Sequence, residues 1–198
     1  MRELKKGLKV LLLTLAAYLL QACVMQYLSI GGVTANLMFV WLAVLTVSYG
    51  KKYTFCASCL LGILMESMLS NVKGLYLIAY PAIAMLCAQF FADMNDSQRQ
   101  RRFEKHRDNH AVRENDLPVI IRIPCCAALM DLILSVAVCA YLYLIGVEIT
   151  FQHVMRVLLS ALLTGALALL LMYPLRSLLG MHPRRDKNPV LKGKAHER

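Results

Sequence analysis

The sequence predicts an all-α polytopic membrane protein, a bundle of six transmembrane helices with both termini in the cytoplasm. Three observations carry that reading. Hydrophobic residues make up 59% of the 198 positions and charged residues only 17%, with a mean hydropathy of +0.55, where a soluble domain carries about 25% charged residues. Long apolar runs recur along the chain, and the charges gather between them. The basic residues then fall almost wholly on one side of the topology those runs define. A spanning helix needs roughly 20 apolar residues, so six of them use most of the chain. What is left is a membrane domain over 1–180, interrupted by a polar cytoplasmic linker at 93–117, and a basic tail over 181–198 that reads as disordered.

The first span is expected from about Leu8 to Leu28, behind Arg2, Lys5, Lys6 and Lys9. Leu20-Gln21-Ala22-Cys23 resembles a lipoprotein cleavage box. Val24, Met25, Tyr27 and Leu28 nevertheless extend the run to spanning length, so the segment is read as a retained helix. The second span starts at Val33 or Leu37, ends at Tyr49 and holds Trp41, the single tryptophan. Gly50-Lys51-Lys52 is a tight basic turn into a third span from Tyr53 to about Leu69. After a short turn the fourth span covers Gly74 to about Phe91, with Pro81 inside, where a kink is tolerated because neighbouring helices re-satisfy the freed backbone groups. Pro118 suits a helix start and opens the fifth span, which contains Pro124 and Asp131 and runs to about Ile145. The sixth is expected from about Val157 to Tyr173, stopped near Pro174 and Arg176.

Orientation follows from the charges, because Lys and Arg are retained in cytoplasmic loops. The N-terminus, the Lys51-Lys52 turn, the linker through Arg122 and the region from Arg176 onward lie on one side. Of the 22 basic residues, only Lys73 and Arg156 fall on the other. The net charge of +10 is therefore read as an orientation bias, with no nucleic acid implied. The location expected is a bacterial cell (inner) membrane, with multiple passes.

An acid at bilayer depth costs roughly 2.5–3.5 kcal/mol on insertion scales, which singles out Asp131 near the middle of the fifth span and Glu66 near the outer end of the third. Each is expected to be an interior polar group or a partner contact. Arg122 lies one turn into the fifth span and is expected to snorkel to the headgroups. Cys56 and Cys59 form a C-x-x-C pair without a second pair or a soluble βαβ context. All seven cysteines sit in apolar runs and read as packing residues. His106 and His110 share an i, i+4 spacing but have charged, solvated neighbours, so no metal is expected. No Gly-rich phosphate loop or Ser/His/Asp set stands out, and neither a cofactor nor a catalytic residue is expected. Ser160, Ala161, Thr164, Gly165 and Ala168 form a small-residue face suited to close helix packing. In the linker, Arg99, Arg101, Arg102 and Lys105 surround Phe103, a pattern suited to anionic lipid headgroups or to docking of a cytoplasmic partner.

The stretch from Thr34 to Phe91 resembles the rod shape-determining protein MreD family of bacteria. The residues concerned are Ala35-Asn36-Leu37 ahead of a span that ends at Tyr49-Gly50, then Cys59-Leu60-Leu61-Gly62-Ile63-Leu64-Met65-Glu66-Ser67, then Lys73-Gly74-Leu75 and Tyr80. The family carries a Pro-Asp-Leu-like start to its second span, a Gly-Leu-Leu-x-Asp-like end to its third, and a Leu-Gly before its fourth. Here Asn36 and Glu66 stand at the two acids. The resemblance implies a non-enzymatic membrane component of the cell-elongation complex. Its implied partners are MreC, the actin-like MreB and the enzymes of peptidoglycan synthesis. Small six-helix proteins also serve as substrate-binding components of energy-coupling-factor vitamin transporters, and that is the alternative expectation.

Overall fold

The computed structural model describes residues 2–25, 27, 29, 32–68, 74–91, 119–147 and 150–179. The linker positions Arg99, Arg101, Arg102, Phe103 and Lys105, the histidines His106 and His110, and the tail over 181–198 lie outside the described residues. Within them the chain is all-helical, with six helices and no strand: α1 (Arg2–Cys23), α2 (Leu37–Tyr49), α3 (Lys51–Met68), α4 (Leu75–Phe91), α5 (Val119–Leu144) and α6 (Phe151–Leu178). Two of these, α5 and α6, are long and apolar enough to cross a membrane.

The architecture is an open arc of helices, α1, α3, α4, α5 and α6 in turn, around α2, which packs against all five. Its residues from Leu37 to Val47 are buried without interruption, so no face of it is polar. That is the pattern of a helix enclosed on every side. At 1.5 Å per residue, its 13 residues span only about 20 Å, short of the roughly 30 Å of a bilayer's apolar core. Trp41 is enclosed, and its indole N–H donates to Thr14 Oγ1 at 2.9 Å. Phe39 stacks on Tyr80 of α4 with ring centroids 5.0 Å apart. Neighbouring α1 presents Val10, Thr14, Tyr18 and Gln21, spaced three or four residues apart so that they share one face. Its other face carries exposed leucines, among them Leu8, Leu12 and Leu19.

Three expectations are corrected. Helix α1 spans Arg2–Cys23 rather than Leu8 to Leu28. It takes in the basic start, whose Lys and Arg are good helix formers. It stops early, with the amides of Val24 and Met25 both returning to the Leu20 carbonyl at 2.9 and 3.2 Å. Helix α6 runs Phe151–Leu178 rather than Val157 to Tyr173. Its start is set by Thr150, whose N–H donates to His153 Nδ1 at 3.3 Å, and Gln152 and Arg156 take exposed positions in the first turns. At its other end Pro174 forfeits one backbone bond. The helix continues regardless, because Leu175 and Leu179 pack into the core. Arg122, expected to reach out to headgroups, is only 9% exposed. Its guanidinium donates to the Phe91 carbonyl at 2.5 Å, so it ties the last turn of α4 to the first turns of α5, where a cation at a helix C-terminus is favourable.

The small-residue face of α6 packs inside the bundle. Thr164 and Ala168 are fully buried, and a Cβ on Gly165 would already touch Ala128 of α5 at 3.4 Å. All seven cysteines are free; Cys87 and Cys126 are buried, whereas Cys23, Cys56 and Cys125 are exposed.

Candidate functional site

A helix that begins inside a protein leaves its first N–H groups without intrahelical acceptors, and α2 begins beside the middles of α5 and α6. Asp131 is the thirteenth of the 26 residues of α5, and Thr164 the fourteenth of the 28 of α6. Side chains from three elements meet the exposed amides there. Asn36 caps its own helix, its Oδ1 accepting from the Met38 N–H at 3.2 Å. Gln21 of α1 reaches across with both ends of its carboxamide. Its Oε1 accepts from the Leu37 N–H at 2.7 Å, and its Nε2 donates to the Ala35 carbonyl at 3.4 Å. Thr164 Oγ1 accepts from the Asn36 N–H at 2.9 Å.

Thr164 is in turn a donor. Its hydroxyl donates to Asp131 Oδ2 at 3.2 Å, and Ser160 donates to the same oxygen at 2.6 Å. The Asn36 carboxamide lies beside both Asp131 and Tyr80. Tyr80, fully buried, turns its own O–H to Met38 Sδ at 3.6 Å. Asp131 is 3% exposed, so its environment must satisfy it entirely. A hydrogen bond to a charged acceptor is worth about 1.5–3 kcal/mol. The two hydroxyl donors therefore offset part of the several kcal/mol that burying one ion costs. The result is a closed junction of Gln21, Asn36, Tyr80, Asp131, Ser160 and Thr164, drawn from α1, α2, α4, α5 and α6. Ser160 donates to a carboxylate oxygen that also accepts from Thr164, which ties α5 to α6.

The other two site residues read from the sequence lie apart from this junction. Gly62 sits where α3 crosses α4, and a Cβ there would stand 3.0 Å from the Tyr76 carbonyl and 3.4 Å from Leu77 Cα. Glycine leaves that approach free, and any side chain there would make α4 give way by a few tenths of an ångström. Glu66, one turn further along, accepts the Gly74 N–H through Oε1 and so holds the entry to α4, where Gly74 has a φ of 84°. Of the four interior candidates, then, the structure joins Asn36 with Asp131 and leaves Gly62 and Glu66 at the α3–α4 turn.

Sequence reading did not identify Gln21, and it assigned Ser160 and Thr164 to packing alone. A signal existed for each. Gln21 is the one carboxamide of the first helix, set in its apolar second half, and Ser160 and Thr164 stand i, i+4 on the face that meets Asp131.

Fold and site together define an all-helical protein with two helices able to cross a membrane and a buried polar junction at their mid-height. The chain matches no protein-family model, no curated protein and no solved structure.

Proposed function

We propose that the chain is an MreD-like, non-enzymatic integral component of a bacterial cell-elongation complex, spanning the inner membrane six times with both termini in the cytoplasm. It helps to maintain cell shape by organising peptidoglycan synthesis together with MreC, MreB and the wall-synthesis enzymes. The observation that carries the reading is the work done by the residues of the resemblance. Asn36 caps the central helix, Gly62 permits the α3–α4 crossing, Glu66 fixes the start of α4 and Tyr80 fills the core beside Met38. All four are joints of a scaffold. The basic ends support the topology, since Lys9, Lys51, Lys52 and Arg176 belong to one end of the bundle, which the Tyr49 hydroxyl closes by donating to the Leu179 carbonyl at 3.3 Å.

Two experiments test this. Depletion of the protein in its rod-shaped host should round the cells, and MreC and MreB should co-purify with it from solubilised membranes; rods of normal shape and no capture would overturn the reading. Reporter fusions after Asp96 and after Gly180 should both report cytoplasm, and one after Val147 the outside. An outside signal at either of the first two sites sinks the six-span topology.

One observation favours the vitamin-transporter alternative. Membrane transporters set substrate sites where a helix is interrupted near the bilayer midplane, and α2 starts beside the midpoints of α5 and α6. Under that reading the purified protein retains a vitamin and captures a pair of ATPases in place of MreB and MreC.

A further inference from the structure

We propose that the groove between α1 and the end of α6 seats one acyl chain of an anionic phospholipid, with the lipid's phosphate held at Lys9. The inference rests on the membrane reading above and adds a specific lipid site to it. Leu8, Lys9, Leu12, Leu13 and Leu178 line a groove of about 310 Å³. Four of the five are leucines, so water gains nothing by filling it and a hydrocarbon chain does. Leu8 and Lys9 recur one turn on as Leu12 and Leu13, so the α1 wall is a single strip of helix surface. Leu178 closes the other side from the last turn of α6.

Charge selects the headgroup. Lys9 is an exposed member of that strip, next to the apolar walls, and a lysine can lay its stem along apolar surface while its ammonium stays in the headgroup layer. The groove also lies at the basic end of the bundle. Leu178 precedes Leu179, whose carbonyl takes the Tyr49 hydroxyl, and the exposed Lys51 and Lys52 begin the next helix. Cytoplasmic leaflets carry the anionic lipids that attract such residues. An amphiphile with an apolar chain and a negative head complements both parts of the site. A neutral lipid complements only the walls, and a soluble anion only the lysine.

The test uses the full-length protein in nanodiscs of phosphatidylcholine doped with a lipid that carries a photoreactive acyl chain. The headgroup of that probe is phosphatidylglycerol in one arm and phosphatidylcholine in the other. Adducts are mapped by mass spectrometry. The phosphatidylglycerol probe should label the Leu8–Leu13 segment and Leu178 several-fold more than the phosphatidylcholine probe. Labelling of Leu162 and Leu170, exposed on another stretch of α6, should not distinguish the two. Lys9→Gln should lower the phosphatidylglycerol adduct about fivefold, the effect of one basic residue near an anionic surface. Leu12→Trp, made at an exposed position to fill the groove, should abolish the preference while the Leu162 and Leu170 adducts confirm an intact bundle. Equal labelling by the two probes at the groove, or a preference that survives Leu12→Trp, overturns the lipid site and leaves the membrane reading standing. Failure of the protein to enter nanodiscs overturns both.

Discussion

Asp131 and Glu66 look alike in the sequence, each an acid following Leu-Met in an apolar run, yet the protein uses them in opposite ways. Asp131 is enclosed at the mid-height of α5 and gathers Ser160, Thr164 and Asn36 around it. Glu66 is half-buried near the end of α3 and takes one backbone N–H, that of Gly74. The first joins elements far apart in the chain, with Asn36 and Thr164 separated by 128 positions. The second joins residues only eight positions apart. Depth and reach, rather than the carboxylate itself, decide how much of the fold hangs on each acid.

The largest effect expected from this contrast is that of Asp131→Leu. It removes the common acceptor of buried Thr164 and half-buried Ser160, and each donor so stranded costs about 1–3 kcal/mol. Equilibrium unfolding in mixed detergent micelles reads it. Asp131→Asn keeps an acceptor oxygen and should lose less than half as much; equal losses for the two variants would show that hydrogen bonding is not what the residue contributes. Next comes Thr164→Val, which leaves the Asn36 N–H without its acceptor and takes one donor from Asp131, for a loss of about 1–3 kcal/mol. If the junction is one network, the Thr164→Val and Asp131→Asn effects fall short of additivity in a double-mutant cycle.

Smaller changes are expected at the α3–α4 turn. Gly62→Ala gains up to about 1 kcal/mol of helix propensity but presses a methyl against the Tyr76 carbonyl 3.0 Å away, and overpacking costs about 1–3 kcal/mol. The net expectation is a loss near 1 kcal/mol by the same unfolding assay, and a net gain would mean that α4 yields there. Smallest is Glu66→Gln, which still accepts the Gly74 N–H and should stay within about 0.5 kcal/mol, whereas Glu66→Leu should lose about 1 kcal/mol, as for a missing cap. Under the proposed cell-shape role, complementation should rank these two variants the same way, and equal loss at normal protein level would point to an obligatory carboxylate.

Much of this was legible because it rests on composition and punctuation. Apolar runs separated by Gly50-Lys51-Lys52 and by the polar linker locate the helices, and a lone acid inside an apolar run marks Asp131 as an interior group. The limits of α1 and α6 were not legible. The end of α1 depends on its amides turning back to Leu20, and α6 runs past Pro174 because Leu175 and Leu179 find a core that is distant in sequence. The role of Gln21 was hidden for the same reason. A carboxamide in a first helix looks like a neutral substitution until the start of α2, sixteen residues on, is laid against it. Arg122 misled because position along a helix suggests snorkelling, whereas the Phe91 carbonyl that binds it belongs to the neighbouring helix.

The dependence of α2 on side chains from elsewhere bears on biogenesis. A 13-residue helix falls short of the length at which an apolar stretch partitions into a bilayer by itself. Its amide at Asn36 is met by a residue translated 128 codons later. At about 5–20 residues per second, α2 leaves the ribosome on the order of ten seconds before Thr164 exists. During that interval Asn36 and, through Gln21, α1 can meet the Met38 and Leu37 amides, while the Asn36 N–H still lacks its acceptor. The centre of the bundle is thus made early and finished last, and a chain truncated after α4 carries a central helix without its tie to Thr164 and Asp131.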